Sequence, residues 1–120
     1  MTGRPLLLRP LAQADIDDIL AYCRAEGGPS LATAFAKQLE AALHTLATHA
    51  AIGSRRYADL LGIPGLRSWP IKRSAYLIFY VDEKEKIDIW RILHGRRDLA
   101  ALLGNDDPEE GDLEETSVSE

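Results

Sequence analysis

Residues 87–98 read Ile-Asp-Ile-Trp-Arg-Ile-Leu-His-Gly-Arg-Arg-Asp. The segment begins as an apolar β-strand rich in Ile and Trp and ends in a basic cluster with a glycine inside it. The cluster consists of Arg91, His94, Arg96 and Arg97. Because like charges packed together repel, such a cluster persists mostly where an anionic partner or an internal carboxylate, here Asp98, offsets it. We therefore expect the functional site in this segment.

The segments around it predict the other strands of a sheet. Residues 75–81 are apolar on both parities, which favours a central strand that is covered on both sides. Residues 66–71 contain Pro70, so this strand is short, bulged or at an edge. Residues 6–8 are three leucines between two prolines, which predicts a first strand near an edge of the sheet. Residues 50–64 give mixed signals and are predicted to be a connector.

Two helices are predicted after the first strand. Residues 16–23 carry apolar side chains at i, i+3, i+4 and i+7, and Pro10 suits the first position of that helix. Gly27-Gly28 ends this helix and Pro29 begins the next, so the two should form an antiparallel αα-hairpin. With a short closing helix at residues 99–103, the order is βααβββ(α). This order predicts an α+β fold, a mostly antiparallel sheet with the αα-hairpin packed on one face.

Charge divides the chain into a domain at residues 1–104 and an acidic C-terminal tail at residues 105–120. Eight of the 19 acidic residues lie in the tail, which has no Lys or Arg. The other 11 stand against 14 basic residues, so the domain carries a formal charge of about +3. The tail has almost no apolar residue beyond Leu113 and Val118, and we predict that it is disordered. It is either a solubilising extension or a segment that folds back over the arginine cluster and competes with partners.

Several function classes are not supported by the sequence. The one cysteine, Cys23, excludes an internal disulfide and falls on the apolar stripe of the first helix. No apolar run is long enough to cross a membrane and residues 1–5 lack a signal-peptide pattern, so a cytoplasmic protein is expected. His44 and His49 do not share a helix face and have no carboxylate or thiol at ligand spacing. We therefore predict no metal site and no cofactor.

Four segments of the chain resemble the ParE branch of the RelE/ParE superfamily of bacterial toxin–antitoxin toxins. They are the first helix around Ala14, Ile16, Asp17 and Ile19, then Gly65-Leu66-Arg67-Ser68-Trp69-Pro70-Ile71, Tyr76-Leu77-Ile78-Phe79-Tyr80, and Arg91-Ile92-Leu93-His94-Gly95-Arg96-Arg97-Asp98-Leu99. The last two segments are quite specific, whereas the helix pattern alone is a weak signal. The resemblance covers residues 6–103, and the acidic tail lies outside the usual pattern.

The resemblance implies a toxin of a plasmid-stabilisation type, encoded beside a cognate ParD-like antitoxin. In this family the antitoxin has a DNA-binding ribbon-helix-helix head, so the toxin would reach operator DNA only through its partner. A flexible C-terminal segment of the antitoxin lies against the helical hairpin and the sheet of the toxin, and it orders on binding. Studied ParE-type toxins act on DNA gyrase, whereas RelE-type toxins cut mRNA on the ribosome.

A ribonuclease of the RelE type needs a base, an acid and fixed cations within hydrogen-bonding reach of the phosphate. The candidates for such a catalytic set are His94, Arg67, Arg73 and Arg91. RelE-like nucleases usually add a Tyr or a His-Tyr pair in the final segment, whereas Gly95 follows His94 here and residues 99–103 are aliphatic. We therefore predict an inhibitor without catalytic residues. A ribosome-dependent mRNA endoribonuclease is the alternative, and a non-toxic binding remnant is a third reading.

The residues predicted to bind target or antitoxin are Arg67, Trp69, Arg73, Trp90, Arg91, His94, Arg96 and Arg97. Aromatic anchors flanked by arginines are typical of interfaces, although the two tryptophans fit core positions equally well. Arg91 has the same strand parity as the apolar residues Ile87, Ile89 and Leu93. It is therefore either paired under the helices, or the strand is twisted or bulged at this point. Exposure of Trp90 and Ile92 on the opposite parity would mark a partner-binding face. Asp98 is predicted to be a structural anchor that pairs with Arg97.

Overall fold

A computed structural model describes residues 3–102 of the chain. In chain order the elements are β1 (Leu6–Leu8), α1 (Pro10–Thr48), a 3₁₀ turn (Ala50–Ile52), α2 (Arg56–Leu61), β2 (Leu66–Pro70), β3 (Tyr76–Asp82), β4 (Ile87–His94) and α3 (Arg97–Leu102). The α+β class predicted from the sequence is confirmed. The predicted acidic tail lies outside the described residues. No helix within residues 3–102 is both long enough and apolar enough to cross a membrane.

The four strands form one sheet in the order β1-β4-β3-β2. Strands β2, β3 and β4 pair antiparallel, whereas β1 pairs parallel to β4, with Leu6 opposite Ile87. The two strands that contain or follow prolines, β1 and β2, are the edges, as predicted, because proline removes a donor that an inner strand would need. Strand β3 lies between two partners and is apolar on both parities because both of its faces are covered.

The helical hairpin is confirmed, although its two arms follow each other almost without a break. Gly28 has φ +76° and ψ −172°, a conformation that L side chains rarely adopt, and it separates residues 10–27 from residues 29–48. The second arm returns to the start of the chain, where the Arg4 N–H donates to the Ala47 carbonyl at 3.0 Å. Apolar residues of both arms, such as Ile16 and Phe35, form the main core with Ile78, Tyr80, Ile87, Ile89 and Ile92 of the sheet.

The opposite face of the sheet is covered by two short helices, and one of them differs from the prediction. Residues 56–61 were predicted to be part of a connector but form α2, which packs Tyr57 edge-on against Phe79 with ring centroids 5.5 Å apart. A six-residue helix owes its stability to such tertiary packing rather than to its own propensity. The closing helix α3 begins at Arg97, two residues before its predicted start, and Leu103 lies outside the described residues.

Strand β4 contains a β-bulge at Trp90. Phe79 of β3 lies opposite Arg91, and the next residue, Tyr80, lies opposite Ile89, so Trp90 has no opposing residue. An extra residue in one strand reverses the alternation of side chains beyond it. Ile92 therefore faces the hairpin and is buried, so it does not mark a partner-binding face. Both alternatives for Arg91 hold in part, because β4 is bulged beside it and its guanidinium is paired with Asp15 of α1.

Candidate functional site

The turn between β4 and α3 is built by two side chains that bind each other's backbone. The Nδ1 atom of His94 accepts hydrogen bonds from the N–H groups of Arg96 at 3.2 Å and Arg97 at 3.0 Å. The Asp98 carboxylate in turn accepts the His94 N–H at 2.8 Å. This reciprocal arrangement satisfies N–H groups at the start of α3, as a capping box does. A ring nitrogen that accepts these bonds cannot donate at the same time, so Nδ1 of His94 serves the turn.

Asp98 also forms an ion pair with its neighbour. The Arg97 Nε donates to Asp98 Oδ1 at 3.0 Å. Partial burial opposes ionisation of Asp98, but the hydrogen bonds from Arg97 and from the His94 N–H outweigh it and hold the pKa of this carboxyl below its usual value. The same hydrogen bond raises the pKa of Arg97. The charge of Arg97 is thus partly offset inside the domain, while most of its side chain is exposed.

Arg91 is tied to the first arm of α1. Its Nε and Nη2 donate to the two carboxylate oxygens of Asp15 at 2.7 and 2.8 Å, and the Ile92 N–H adds a third hydrogen bond to Asp15 at 2.9 Å. The hydrogen bond with Asp15 raises the pKa of the Arg91 guanidinium. Sequence reasoning did not identify this partner, because no local pattern relates residues 76 positions apart. Asp15 thus connects the helical hairpin to the strand immediately after the bulge.

Trp90 belongs to a second cluster that the sequence did not reveal. The Arg9 guanidinium lies 3.8 Å from the centroid of the Trp90 ring and donates to both oxygens of Asp88 at 3.0 and 2.9 Å. The Trp90 indole N–H donates to the same carboxylate at 3.2 Å. Asp88 is only 3% exposed, and the hydrogen bond from Arg9 lowers its pKa despite that burial. An Asp in an otherwise apolar strand was the available signal.

Arg67 and Trp69 lie on β2. Arg67 Nη1 donates to the carbonyls of Ala51 at 3.0 Å and Gly53 at 2.9 Å, which holds the 3₁₀ turn against the strand. Trp69 is half-buried against the main core. Together with the second arm of α1 it lines a groove of about 440 Å³, here called the hairpin groove. The hairpin groove is lined by Gln38, Ala41, Ala42, Thr45, Ile52, Trp69, Pro70 and Lys72.

Two predicted binding arginines, Arg73 and Arg96, are exposed on adjacent turns at one end of the sheet. The Gly95 N–H donates to the Ala75 carbonyl at 2.7 Å and holds the turns together. We call Lys72, Arg73, Arg96 and Arg97 the basic end. Within residues 3–102, neither Arg73 nor Arg96 has a carboxylate at ion-pair distance.

The candidate nuclease residues do not come together. Arg67 lies opposite Tyr80 and His94 opposite Tyr76, so about 13 Å of strand separates them. Arg91 projects from the other face toward Asp15. Of the three arginines in the candidate set, Arg73 lies near the turn that contains His94. The roles in target or antitoxin binding predicted for the members of this set stay predictions. Within residues 3–102, no group of three His, Cys, Asp or Glu side chains is arranged to hold a metal ion.

Comparisons with known proteins point to one family. Residues 6–99 match the family model described as ParE toxin of type II toxin-antitoxin system, parDE. The chain is 33% identical over 102 residues to Toxin ParE3 of Caulobacter vibrioides (strain ATCC 19089 / CIP 103742 / CB 15), an alignment that covers 85% of this chain and 96% of the relative. A solved structure described as "Chromosomal ParDE TA system from P. aeruginosa" matches with a TM-score of 0.65 at 23% identity. It covers 77% of this chain and 96% of the other, and at that identity it shows a shared fold.

Proposed function

Because this chain belongs to the ParE toxin family of type II toxin–antitoxin systems, we propose that it inhibits a cytoplasmic target by binding and is neutralised by a cognate ParD-like antitoxin. DNA gyrase is the target that we propose, from the resemblance to studied ParE-type toxins. The antitoxin, with its ribbon-helix-helix head, would connect the complex to operator DNA.

One observation carries the proposal of inhibition rather than catalysis: three of the four side chains that a nuclease would need already serve the fold. His94 Nδ1 accepts two backbone N–H groups, Arg91 is bound to Asp15, and Arg67 is bound to two carbonyls. A general acid or base must reach the substrate, and the set must share one site. The basic end is exposed, and within residues 3–102 neither Arg73 nor Arg96 is paired with a carboxylate, which suits recognition of an acidic surface.

The hairpin groove supports a binding mode for the antitoxin. Its alanines make a slim, apolar wall, and Trp69 supplies an aromatic anchor, as in grooves that receive an amphipathic helix. Strand addition along β2 is less suited, because the Ser68 N–H and carbonyl are already paired with Ser54 at 2.8 and 2.9 Å. We propose that a helical segment of the antitoxin lies in this groove, with an acidic residue near Lys72.

The target is tested by inducing the chain in a bacterial host that lacks the antitoxin. Stalled replication with an SOS response supports gyrase inhibition, whereas a prompt block of translation with cleaved mRNA supports the ribosome-dependent endoribonuclease and overturns the proposal. No effect on growth, with folded protein present, indicates a non-toxic remnant and contradicts both activities.

The antitoxin groove is tested by co-purification with the product of the neighbouring gene. Ala42→Glu places a charge in the hairpin groove and should abolish capture, whereas Ala34→Glu, on the exposed surface of the same helix arm, should leave it intact. Because Ala42 is buried, circular dichroism must first show that the variant folds. A folded Ala42→Glu protein that still binds the antitoxin would place the interface elsewhere.

A further inference from the structure

The sheet face opposite the hairpin carries an apolar groove that none of the proposed roles uses. It lies between α2 and α3 with a volume of about 360 Å³, and we call it the back groove. Its lining includes Leu11, Leu61, Phe79, Trp90, Leu93 and Leu102. Leu11 and Leu102 at its rim are 61% and 52% exposed. Apolar side chains gathered at such exposure mark a surface that another segment covers.

Arginines lie on both sides of the back groove. Arg9 is stacked on the Trp90 ring at one side, and at the other Arg56 lies 5.0 Å from the Tyr57 ring centroid, whose ring packs against Phe79. Arg56 is exposed, and no carboxylate of residues 3–102 lies at ion-pair distance from it. The matching ligand is a segment with a few apolar side chains among several carboxylates.

Such a segment begins where the described chain ends. Leu102 is the last residue of α3 and lines the back groove, and residues 103–120 follow it directly. They contain eight acidic residues with Leu103, Leu113 and Val118 among them. Asp106 lies four positions beyond Leu102 and can reach up to roughly 14 Å, and Leu113 lies 11 positions beyond it and can reach up to roughly 40 Å. Crossing a four-stranded sheet requires only about 15 Å.

We propose that residues 103–120 bind the back groove of the same chain, with Leu113 in the groove and the carboxylates against Arg9 and Arg56. The domain of about +3 attracts a tail that carries eight negative charges, and attachment at Leu102 gives the tail a high effective concentration at the groove. Occupation of the groove does not depend on the identity of the toxin's target.

The test uses the full chain and the indole N–H signals of its two tryptophans in NMR spectra. Leu113→Ser combined with Val118→Ser should shift the Trp90 signal by more than its linewidth and leave the Trp69 signal, from the hairpin groove, in place. Thr116→Ala combined with Ser117→Ala is the matched control and should change neither signal. High salt, which shortens the Debye length to about 3 Å at 1 M, should move the Trp90 signal of the unmodified chain toward that of the variant.

Two results overturn the proposal. An identical Trp90 signal in the unmodified chain and the Leu113→Ser, Val118→Ser variant would show that the tail does not reach the groove. A Trp90 shift that disappears on dilution would show that the tail binds a second copy instead. Because toxicity is not measured, failure here leaves the proposed function intact, and failure of the gyrase test leaves this result intact.

Discussion

Replacing Asp15 by Ala removes the acceptor of three hydrogen bonds that fasten the helical hairpin to β4. Two of these bonds come from the Arg91 guanidinium at 2.7 and 2.8 Å, and one comes from the Ile92 N–H at 2.9 Å. The Asp15 side chain is 14% exposed and that of Arg91 34% exposed. The pair therefore lies between a surface ion pair and a buried one, and its contribution to the free energy of unfolding can be bracketed.

A surface ion pair contributes about 0–1 kcal/mol, whereas removing one partner of a buried pair costs about 3–5 kcal/mol. Because a third of Arg91 is exposed, its guanidinium can turn to water, which discounts the upper value. The orphaned Ile92 N–H adds about 1 kcal/mol. We expect Asp15→Ala to lower the free energy of unfolding by about 2–3 kcal/mol. For a domain of about 100 residues this corresponds to a fall in Tm of roughly 8–20 °C.

Urea denaturation followed by circular dichroism measures this loss. Asp18→Ala is the control, because Asp18 lies one turn further along the same helix, is exposed and should change the stability by less than about 0.5 kcal/mol. If Asp15→Ala and Asp18→Ala were equally stable, the contact between Asp15 and β4 would not hold the hairpin.

Three further predictions concern other parts of the molecule. The hydrogen bond from Arg9 lowers the pKa of the Asp88 carboxyl in the folded protein. The pair therefore contributes fully to the free energy of unfolding above the pKa of Asp in the unfolded chain, about 3.9, and this contribution is lost as the pH falls through the lower pKa of the folded state. In Asp88→Asn the Tm should therefore fall less steeply between about pH 4 and pH 2. An equally steep fall in the variant would show that Asp88 does not contribute to this pH dependence. Gly28→Ala should lower the free energy of unfolding by roughly 1–3 kcal/mol in urea titrations, because φ at this position is +76°. An unchanged urea midpoint would mean that the bend between the two helix arms accepts an L side chain without strain. Arg73→Glu with Arg96→Glu should abolish growth arrest without lowering Tm, since both side chains are exposed; full toxicity in that variant would remove the basic end from target recognition.

The sequence predicted those parts of the fold that local physics determines. The glycines and Pro29 mark the hairpin, the prolines place β1 and β2 at the edges, and an apolar run on both parities identifies β3 as central. Each of these signals lies within the element that it describes. The helix α2 gave no such signal, because its stability comes from Tyr57 packed against Phe79, 22 positions away in the chain.

The site was predicted only in part for the same reason. The sequence predicted a functional site in residues 87–98, but the partners of its side chains lie far away in the chain: Asp15 for Arg91, and Arg9 for Asp88 beside Trp90. The bulge at Trp90, which reversed the predicted facing of Ile92, leaves no pattern in a single sequence. The bond between His94 and the start of α3 was within reach, since His and Asp four positions apart resemble a capping pair.

We propose that this toxin acts by binding, and the variant His94→Asn separates binding from catalysis. The Asn carbonyl oxygen can accept the N–H groups of Arg96 and Arg97 in place of Nδ1, as Asn does in its own turns, while an amide cannot transfer a proton near neutral pH. The assay compares growth arrest after induction of equal amounts of the two proteins, with capture by the antitoxin as the measure of folding. We expect growth arrest as strong as that of the unmodified chain. A His94→Asn protein that folds and binds the antitoxin but no longer arrests growth would contradict it.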